Sequence, residues 1–170
     1  MMISNLLKLL WCAIGASVGI TLALVLVFPD PGSLLLASLG GSTIFLFVLT
    51  RAPAAQPRSV FGGHIIGAAI GIACYQVFGD APWVYVFAQV LTLLAVLLTK
   101  TVHPPAGANP LIMIHGHAGW LAIFNPVLVG LIALVLVAAV WSRIFPGFVR
   151  YPYSWMDTSP PNLFWGFLDK

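Results

Sequence analysis

Residues 99–117, TKTVHPPAGANPLIMIHGH, place groups that can bind ions or carry protons between two very apolar stretches. The passage holds one lysine, three histidines and three prolines. Histidine exchanges a proton near neutral pH, and proline breaks a helix interior and lacks a backbone N–H. Lipid tolerates the freed backbone groups only inside the protein or beside a water-filled cavity. We therefore predict that 101–109 lines a polar cavity; the alternative is an ordinary loop at the end of a span.

Two further passages carry polar groups that could face the same cavity. SLGGST (38–43) supplies the hydroxyls of Ser42 and Thr43, and PAAQPRSVFGGH (53–64) supplies Gln56, Arg58 and His64 as donors. Simpler explanations exist, because a Ser or Thr hydroxyl can bond to its own helix and an arginine can serve only to set topology. Spacing alone leaves both explanations open.

The composition is that of an integral membrane protein. Hydrophobic residues make up 61% of the 170 residues and charged residues 6%, and the mean hydropathy is +1.04. The seven basic residues are scattered singly, so they form no patch for nucleic acid. Cys12 and Cys74 lie in apolar stretches, where a free cysteine behaves as a small hydrophobe. We predict one all-α transmembrane domain over 1–170.

Five apolar stretches are near the length that crosses a bilayer, about 20 residues. They are 6–28, 34–50, 60–78, 83–99 and 121–141. The short passages PDPG (29–32) and GDAP (79–82) are typical of tight turns between antiparallel helices. We expect a broken or re-entrant segment at 103–109, and we expect the aromatic tail 144–170 to lie at the membrane interface.

The charges give an orientation that is not fully consistent with five spans. With the N-terminus in the cytoplasm, the basic residues Lys8, Arg51, Arg58 and Lys100 are cytoplasmic, and the acids Asp30, Asp80, Asp157 and Asp169 are outside. Arg143, Arg150 and Lys170 then also fall outside. A sixth crossing between 105 and 120 would bring them in, but that stretch is short and contains His115 and His117. We favour five spans.

An internal echo links two of the predicted helices. IGASVGI (14–20) recurs as IGAAIGI (66–72), and a turn follows each helix. Small residues at this spacing let membrane helices approach closely. We expect the two echoes to pack on each other, and we expect glycine-rich faces at Gly15, Gly19, Gly67 and Gly71 to support homo-oligomers.

Three motifs in the order ASLGGSTIFLF, PAAQPRSVFGGHIIGAAIG and TVHPPAGANPLI strongly resemble the HPP family of small integral membrane proteins. The resemblance runs from about Leu34 through RYPYSW, and the family takes its name from the motif at His103, Pro104 and Pro105. The chain departs from the family at GANP, where GAT followed by alanine is usual. Because family members are associated with nitrite transport in plastids and cyanobacteria, the resemblance implies nitrite as the substrate.

The leading hypothesis is a transporter or channel for a small inorganic anion, without enzymatic activity or cofactor. The anion would bind at the N-terminus of the second half of a broken helix, where free N–H groups and the helix dipole favour negative charge. The predicted spans contain no carboxylate, which argues against a cation pathway. The candidate substrate-binding residues are Ser42, Thr43, Gln56, Arg58, His64, Thr101, His103, Pro104, Pro105, Ala106, Gly107 and Asn109.

Two alternatives belong to other classes. One is an intramembrane metalloenzyme that uses His64, His103, His115 and His117, although HGH is poor helical spacing for ligands and no HExxH motif occurs. The other is a structural or regulatory membrane subunit whose polar motifs only lock helices together. For all three functions we expect the chain to lie in the lipid bilayer of a bacterial inner membrane, with its N-terminus in the cytoplasm, and to associate with further copies of itself.

Overall fold

The computed structural model describes residues 2–27, 37–145 and 147–160, which form a helical membrane fold without β-strands in these ranges. The helices are α1 (Met2–Val27), α2 (Ala37–Phe47), α3 (Pro57–Phe78), α4 (Pro82–Leu98), α5 (Asn109–His115) and α6 (Val129–Ile144). Short 3-10 turns cover Pro53–Ala55, Pro104–Ala108 and Trp120–Ile123, and Phe124–Leu128 is a π-helical turn with a kink at Asn125.

Three stretches are long and apolar enough to cross a membrane, and α2 and α4 are shorter apolar helices. The three are Asn5–Val27, Pro57–Phe78 and Trp120–Ile144. The predicted all-α membrane fold is therefore confirmed. Helices α3 and α4 begin at prolines, whose missing N–H is not needed in a first turn. The predicted turn at 29–32 lies outside the described residues.

Residues 103–115 begin with the HPP motif and are called the HPP segment below. This segment runs along α3 from one end to the other. A Cβ added at Gly63 would lie 3.2 Å from Ala106, and one at Gly71 would lie 2.9 Å from Met113. Beyond the end of α3, His117 reaches Asp80 at 3.0 Å. The segment is thus broken rather than re-entrant. Its 3-10 turn and α5 span only about 20 Å, less than the roughly 30 Å of hydrocarbon.

Because the HPP segment runs the length of α3, α6 ends at the same end of the fold at which α1 begins. The rings of Trp11 and Trp141 stack at 4.3 Å, and the Tyr151 hydroxyl donates to the Ala55 carbonyl. The basic residues of the described part, Lys8, Arg51, Arg58, Lys100, Arg143 and Arg150, therefore share one end, which we call the basic end.

The distribution of charge accordingly differs from the five-span interpretation. Arg143 and Arg150 join the other basic residues because the chain makes an additional passage after the HPP motif. Asp80 lies at the opposite end, as expected, whereas Asp157 lies in the tail near the basic end. Asp30, Asp169 and Lys170 are outside the described residues.

The interior has two parts with different chemistry. An apolar core joins α1, α2 and α6 through residues such as Leu39, Leu46 and Leu134, all at most 1% exposed. Buried polar side chains, in contrast, concentrate where α3 packs against α4, α5 and the HPP segment. The polar region is therefore built on one side of an apolar scaffold.

The two echo helices use their glycines on different partners, so the expected packing of one echo on the other is wrong. Positions Gly15 and Gly19 of α1 face Trp141 and Phe47. On α3, glycines at 63, 67 and 71 face the HPP segment and α5. Each helix needs small residues, but for a separate close contact.

We expect Gly71→Ala to destabilise the protein by about 1–3 kcal/mol through overpacking. The added Cβ would lie 2.7 Å from both Cα and the carbonyl oxygen of Pro110, which are backbone atoms that cannot rotate away. Gly40→Ala is the matched control, because nothing lies within 4 Å of its Cβ position. Thermal unfolding in detergent measures both variants, and equal midpoints would contradict the tight contact.

We expect position 80 and position 150 to be labelled from opposite faces of the membrane. In a Cys12→Ala, Cys74→Ala background, Asp80→Cys should react with an impermeant maleimide in intact cells, and Arg150→Cys only after permeabilisation. The reason is that cytoplasmic loops carry an excess of Lys and Arg. Labelling of both from one face would show that the HPP segment does not cross.

Candidate functional site

His103 is held by two fixed contacts at the start of the HPP segment. It precedes a proline and has extended backbone (φ −130, ψ 104), as steric clash with the proline ring favours. Its Nδ1 lies 2.6 Å from the Ala54 carbonyl oxygen, and its Nε2 lies 2.9 Å from Ser42 Oγ. Because a carbonyl only accepts, Nδ1 carries the hydrogen. Neutral His103 therefore presents Nε2 as an acceptor.

Ser42 has one hydrogen and two acceptors within reach. Its Oγ lies 2.9 Å from the Ser38 carbonyl oxygen as well as 2.9 Å from His103 Nε2. When His103 is neutral, the hydroxyl can donate to Nε2, because the Ser38 carbonyl already accepts the Ser42 amide within α2. When His103 is protonated, Nε2–H donates to Ser42 and the hydroxyl donates to Ser38, so every group is paired. The expected approach of Ser42 to the HPP motif is thus observed.

His64 adds a second imidazole beside the first. The two ring centres are 5.2 Å apart, and His64 is fully buried. Its Nδ1 donates to the Val60 carbonyl at 2.9 Å, which leaves Nε2 as an acceptor that has no partner in the described part of the chain. Asn109 closes the group, because its Nδ2 donates to the His64 carbonyl at 3.0 Å. Sequence reasoning therefore selected four residues that do come together: Ser42, His64, His103 and Asn109.

Gln56 is buried but is occupied by contacts within the protein. Its Nε2 donates to the carbonyls of Thr50 and Ala52, and its Oε1 accepts from the amides of Tyr153 and Ser154. These four bonds use the full capacity of the amide. Gln56 therefore holds loops together, and the expected role as a donor to substrate does not fit this geometry.

Three other candidates are also hydrogen-bonded to groups of the protein. Thr43 donates to the Gly40 carbonyl of its own helix, the simpler of the two explanations considered for it. Arg58 donates to the Thr99 carbonyl at 2.9 Å and is half-buried, with its Nε unpaired in the described residues. The Thr101 hydroxyl lies 2.8 Å from that of Thr99.

The 3-10 turn Pro104–Ala108 offers no free amide in its first three residues. Pro104 and Pro105 have no N–H, and the Ala106 amide donates to the His103 carbonyl at 2.9 Å. The predicted backbone donors for an anion are therefore missing at this point, and donors to a ligand must be side chains. Gly107 remains partly accessible, and a Cβ at that position would lie 3.7 Å from Gln89 Nε2.

Seven buried side-chain nitrogen and oxygen atoms have no partner within the described ranges, and six of them belong to α3, α4 and α5. The six are on Arg58, Ser59, His64, Gln89, Thr92 and Asn109. Sequence reasoning missed Gln89 and Thr92. The available signal was two polar residues three positions apart inside an apolar helix, where polar groups usually face the protein interior.

The four histidines do not form one site. His117 lies at the end opposite the basic end, stacks on Tyr75 and donates from Nε2 to Asp80. This hydrogen bond, helped by one from Tyr85, holds the pKa of Asp80 below its usual range. His115 is exposed. The four-histidine metal site considered from the sequence is wrong, because the histidines separate into pairs at different depths.

The tail folds back over the basic end. Tyr153 and Trp155 are exposed there, but Tyr151 is fully buried and is not an interfacial side chain. The Val102 amide donates to the Ser159 carbonyl at 2.8 Å. The tail therefore covers the loops that carry His103 and its partner Ala54. Trp165 is outside the described residues.

Comparisons with known proteins agree with the motifs. The family described as HPP, transmembrane region, matches residues 2–152. Two transmembrane proteins of Dictyostelium discoideum are 32% and 30% identical over 129 residues, which is 71% of this chain and 45% and 41% of theirs. The chain thus spans less than half the length of these relatives. No solved structure matches it. The chain belongs to the HPP transmembrane-region family.

We expect Gln56→Leu to lower the free energy of unfolding by about 1–3 kcal/mol, because buried amides lose their acceptor. Gln76→Leu is the control, since Gln76 is exposed and accepts only from Trp120 among its described contacts. Thermal unfolding compares the two variants, and hydrogen exchange should speed up at Tyr153 and Ser154 only in Gln56→Leu. A wild-type unfolding midpoint for Gln56→Leu would show that the four hydrogen bonds of Gln56 do not stabilise the fold.

Proposed function

We propose that this HPP-family membrane protein carries a small inorganic anion, nitrite first among the candidates, across the membrane together with a proton. The family and its apolar helices support a membrane transporter or channel in general. The names of the relatives describe only transmembrane proteins. The choice of substrate therefore rests on the chemistry of the site and on the family resemblance.

The observation that carries the proposal is that Ser42 can pair with His103 in either protonation state. When His103 is protonated, its Nε2–H donates to Ser42 Oγ, the Ser42 hydroxyl donates to the Ser38 carbonyl, and Nδ1–H donates to the Ala54 carbonyl at the observed distances. A buried imidazolium needs a negative partner. The sequences of α1 to α6 contain no Asp or Glu. A small anion is the partner that could supply the balancing charge.

The same reasoning couples the proton to the anion. Burial disfavours an isolated charge, so His103 has little tendency to hold the proton before the anion arrives. The anion likewise gains a binding partner only when the proton is present. Each ligand therefore raises the affinity for the other, as thermodynamic linkage requires.

The surroundings supply a route for the anion to approach. Arg58 and Lys100 lie at the basic end near the loops that carry His103, and they attract anions. We place this end in the cytoplasm of a bacterial inner membrane, with the N-terminus on the same side. The substrate is moved without chemical conversion and without a cofactor. Copies of the chain associate through surfaces other than the glycines at 15, 19, 67 and 71, which contact other helices of the same chain.

We expect His103→Ala and His103→Gln to reduce nitrite uptake into proteoliposomes by more than about tenfold, which corresponds to about 1.4 kcal/mol. Neither side chain can carry the proton, although glutamine retains donor and acceptor groups. His117→Ala is the matched histidine control and should stay within about twofold of wild type.

Thermal unfolding and oligomer size establish that the variants are folded. Unimpaired uptake in both His103 variants would remove the assignment of this residue. No uptake by the wild-type protein of nitrite, nitrate, formate or chloride above protein-free vesicles would favour the structural-subunit alternative instead.

A further inference from the structure

The unpaired polar atoms beyond His103 are mainly acceptors. The Asn109 Nδ2 donates to a carbonyl, so its Oδ1 is an acceptor, and the Nδ1–H of His64 similarly leaves Nε2 as an acceptor. Gln89 Oε1 is also buried without a partner in the described residues. Thr92 Oγ1 can both donate and accept. Arg58 Nε, in contrast, is a cationic donor and lies at the basic end.

These acceptors lie on α3, α4 and α5, which pack against one another. Gln89 points its amide toward Gly107, with 3.7 Å between Nε2 and the position of a Cβ there. Thr92 is 2% exposed and lies three residues along α4, on the face that includes buried Ala88. The opposite face of α4, with Val90 and Leu94, is exposed. The polar face of α4 is therefore turned toward α3, α5 and the HPP segment.

An unpaired acceptor in a membrane interior requires a donor, because each unsatisfied polar group there costs several kcal/mol. A bare anion brings only further lone pairs, which these acceptors repel. A neutral weak acid brings an O–H donor as well as oxygen acceptors that an amide N–H can bind. The lining thus fits the protonated form of the substrate better than the anion itself.

We infer that the region between α3, α4 and α5 passes the substrate as a neutral weak acid, with Gln89 and Thr92 of α4 forming a binding wall opposite Asn109. This inference rests on the proposed function. The Nε2–H bond of protonated His103 breaks and an O–H bond forms on the anion, which leaves neutral His103 and one neutral acid, so no charge crosses the acceptor-lined region. Donors near the entrance and acceptors in the interior correspond to these two forms.

The first test compares anions in wild-type proteoliposomes, with uptake into protein-free vesicles subtracted. Nitrite and formate are anions of weak acids, whereas nitrate and perchlorate are anions of strong acids and stay unprotonated. We expect uptake of nitrite and formate that generates no membrane potential, measured with a voltage-sensitive dye, and about tenfold slower uptake of the other two.

The possible outcomes separate this inference from the proposed function. Equal uptake of nitrate and nitrite without a potential overturns the neutral-acid inference but leaves proton-coupled anion transport in place. Uptake that generates a potential overturns both the inference and the proton coupling, and leaves only anion transport. Uptake of none of the anions overturns both the inference and the proposed function. Uptake of methylammonium in place of the anions also overturns both, because the acceptors would then serve a cationic donor.

The second test replaces the wall by isosteric apolar groups. Gln89→Met and Thr92→Val should each lower nitrite uptake about fivefold or more, an effect close to one lost hydrogen bond. Gln76→Met and Thr21→Val make the same chemical changes at exposed positions and should not alter uptake. Wild-type uptake in both wall variants overturns the assignment of α4. If a wall variant fails to fold, the anion comparison above still decides the inference.

Discussion

The close approach of the α3 backbone to the HPP segment is the contact on which the rest of the structure depends. Prolines interrupt helical hydrogen bonding in this segment, so its backbone cannot face lipid. Glycines at 63, 67 and 71 leave a groove along α3, and the segment lies so near that an added Cβ would meet backbone oxygens at 2.7–2.9 Å. A side chain in this groove would push the segment outward. The polar residues it carries would then lose their neighbours.

The groove also explains why the polar and apolar halves are separate. The apolar core of α1, α2 and α6 meets the HPP segment through α2, which contributes Ser42 and packs Gly41 against Pro105. Helix α4 covers the other side and contributes Gln89 and Thr92. The candidate site is thus made of side chains from α2 and α4, which lie on opposite sides of the HPP segment. The broken backbone of this segment could not be exposed to lipid. Its polar contacts compensate for the broken backbone, and the proposed function uses the same contacts.

Much of the fold could be predicted from the sequence because hydrophobic length and proline position act locally. The observed bounds of α3 and α4 differ by at most three residues from the predicted spans 60–78 and 83–99. The predicted approach of Ser42 to His103 also followed from a local rule, that polar groups in lipid seek one another. The passage of 104–117 along α3 was considered from the charges but not favoured, because α5 has only seven residues and gives no recognisable span. Gln56 and Tyr151 depend on contacts between residues 96–98 positions apart, which no local pattern reveals.

The hydrogen bonds of the Gln56 side chain have a consequence for the order in which the protein folds during synthesis. The amides that occupy its Oε1 belong to residues 97 and 98 positions later in the chain, and the carbonyl of nearby Ala54 is the group that orients His103. Residues 153 and 154 follow α6, so all six helices of the described residues have been synthesised before this loop can reach its final form. Until then the loop lacks the two hydrogen bonds from Tyr153 and Ser154, so a nascent chain cannot contain the complete arrangement of residues around His103.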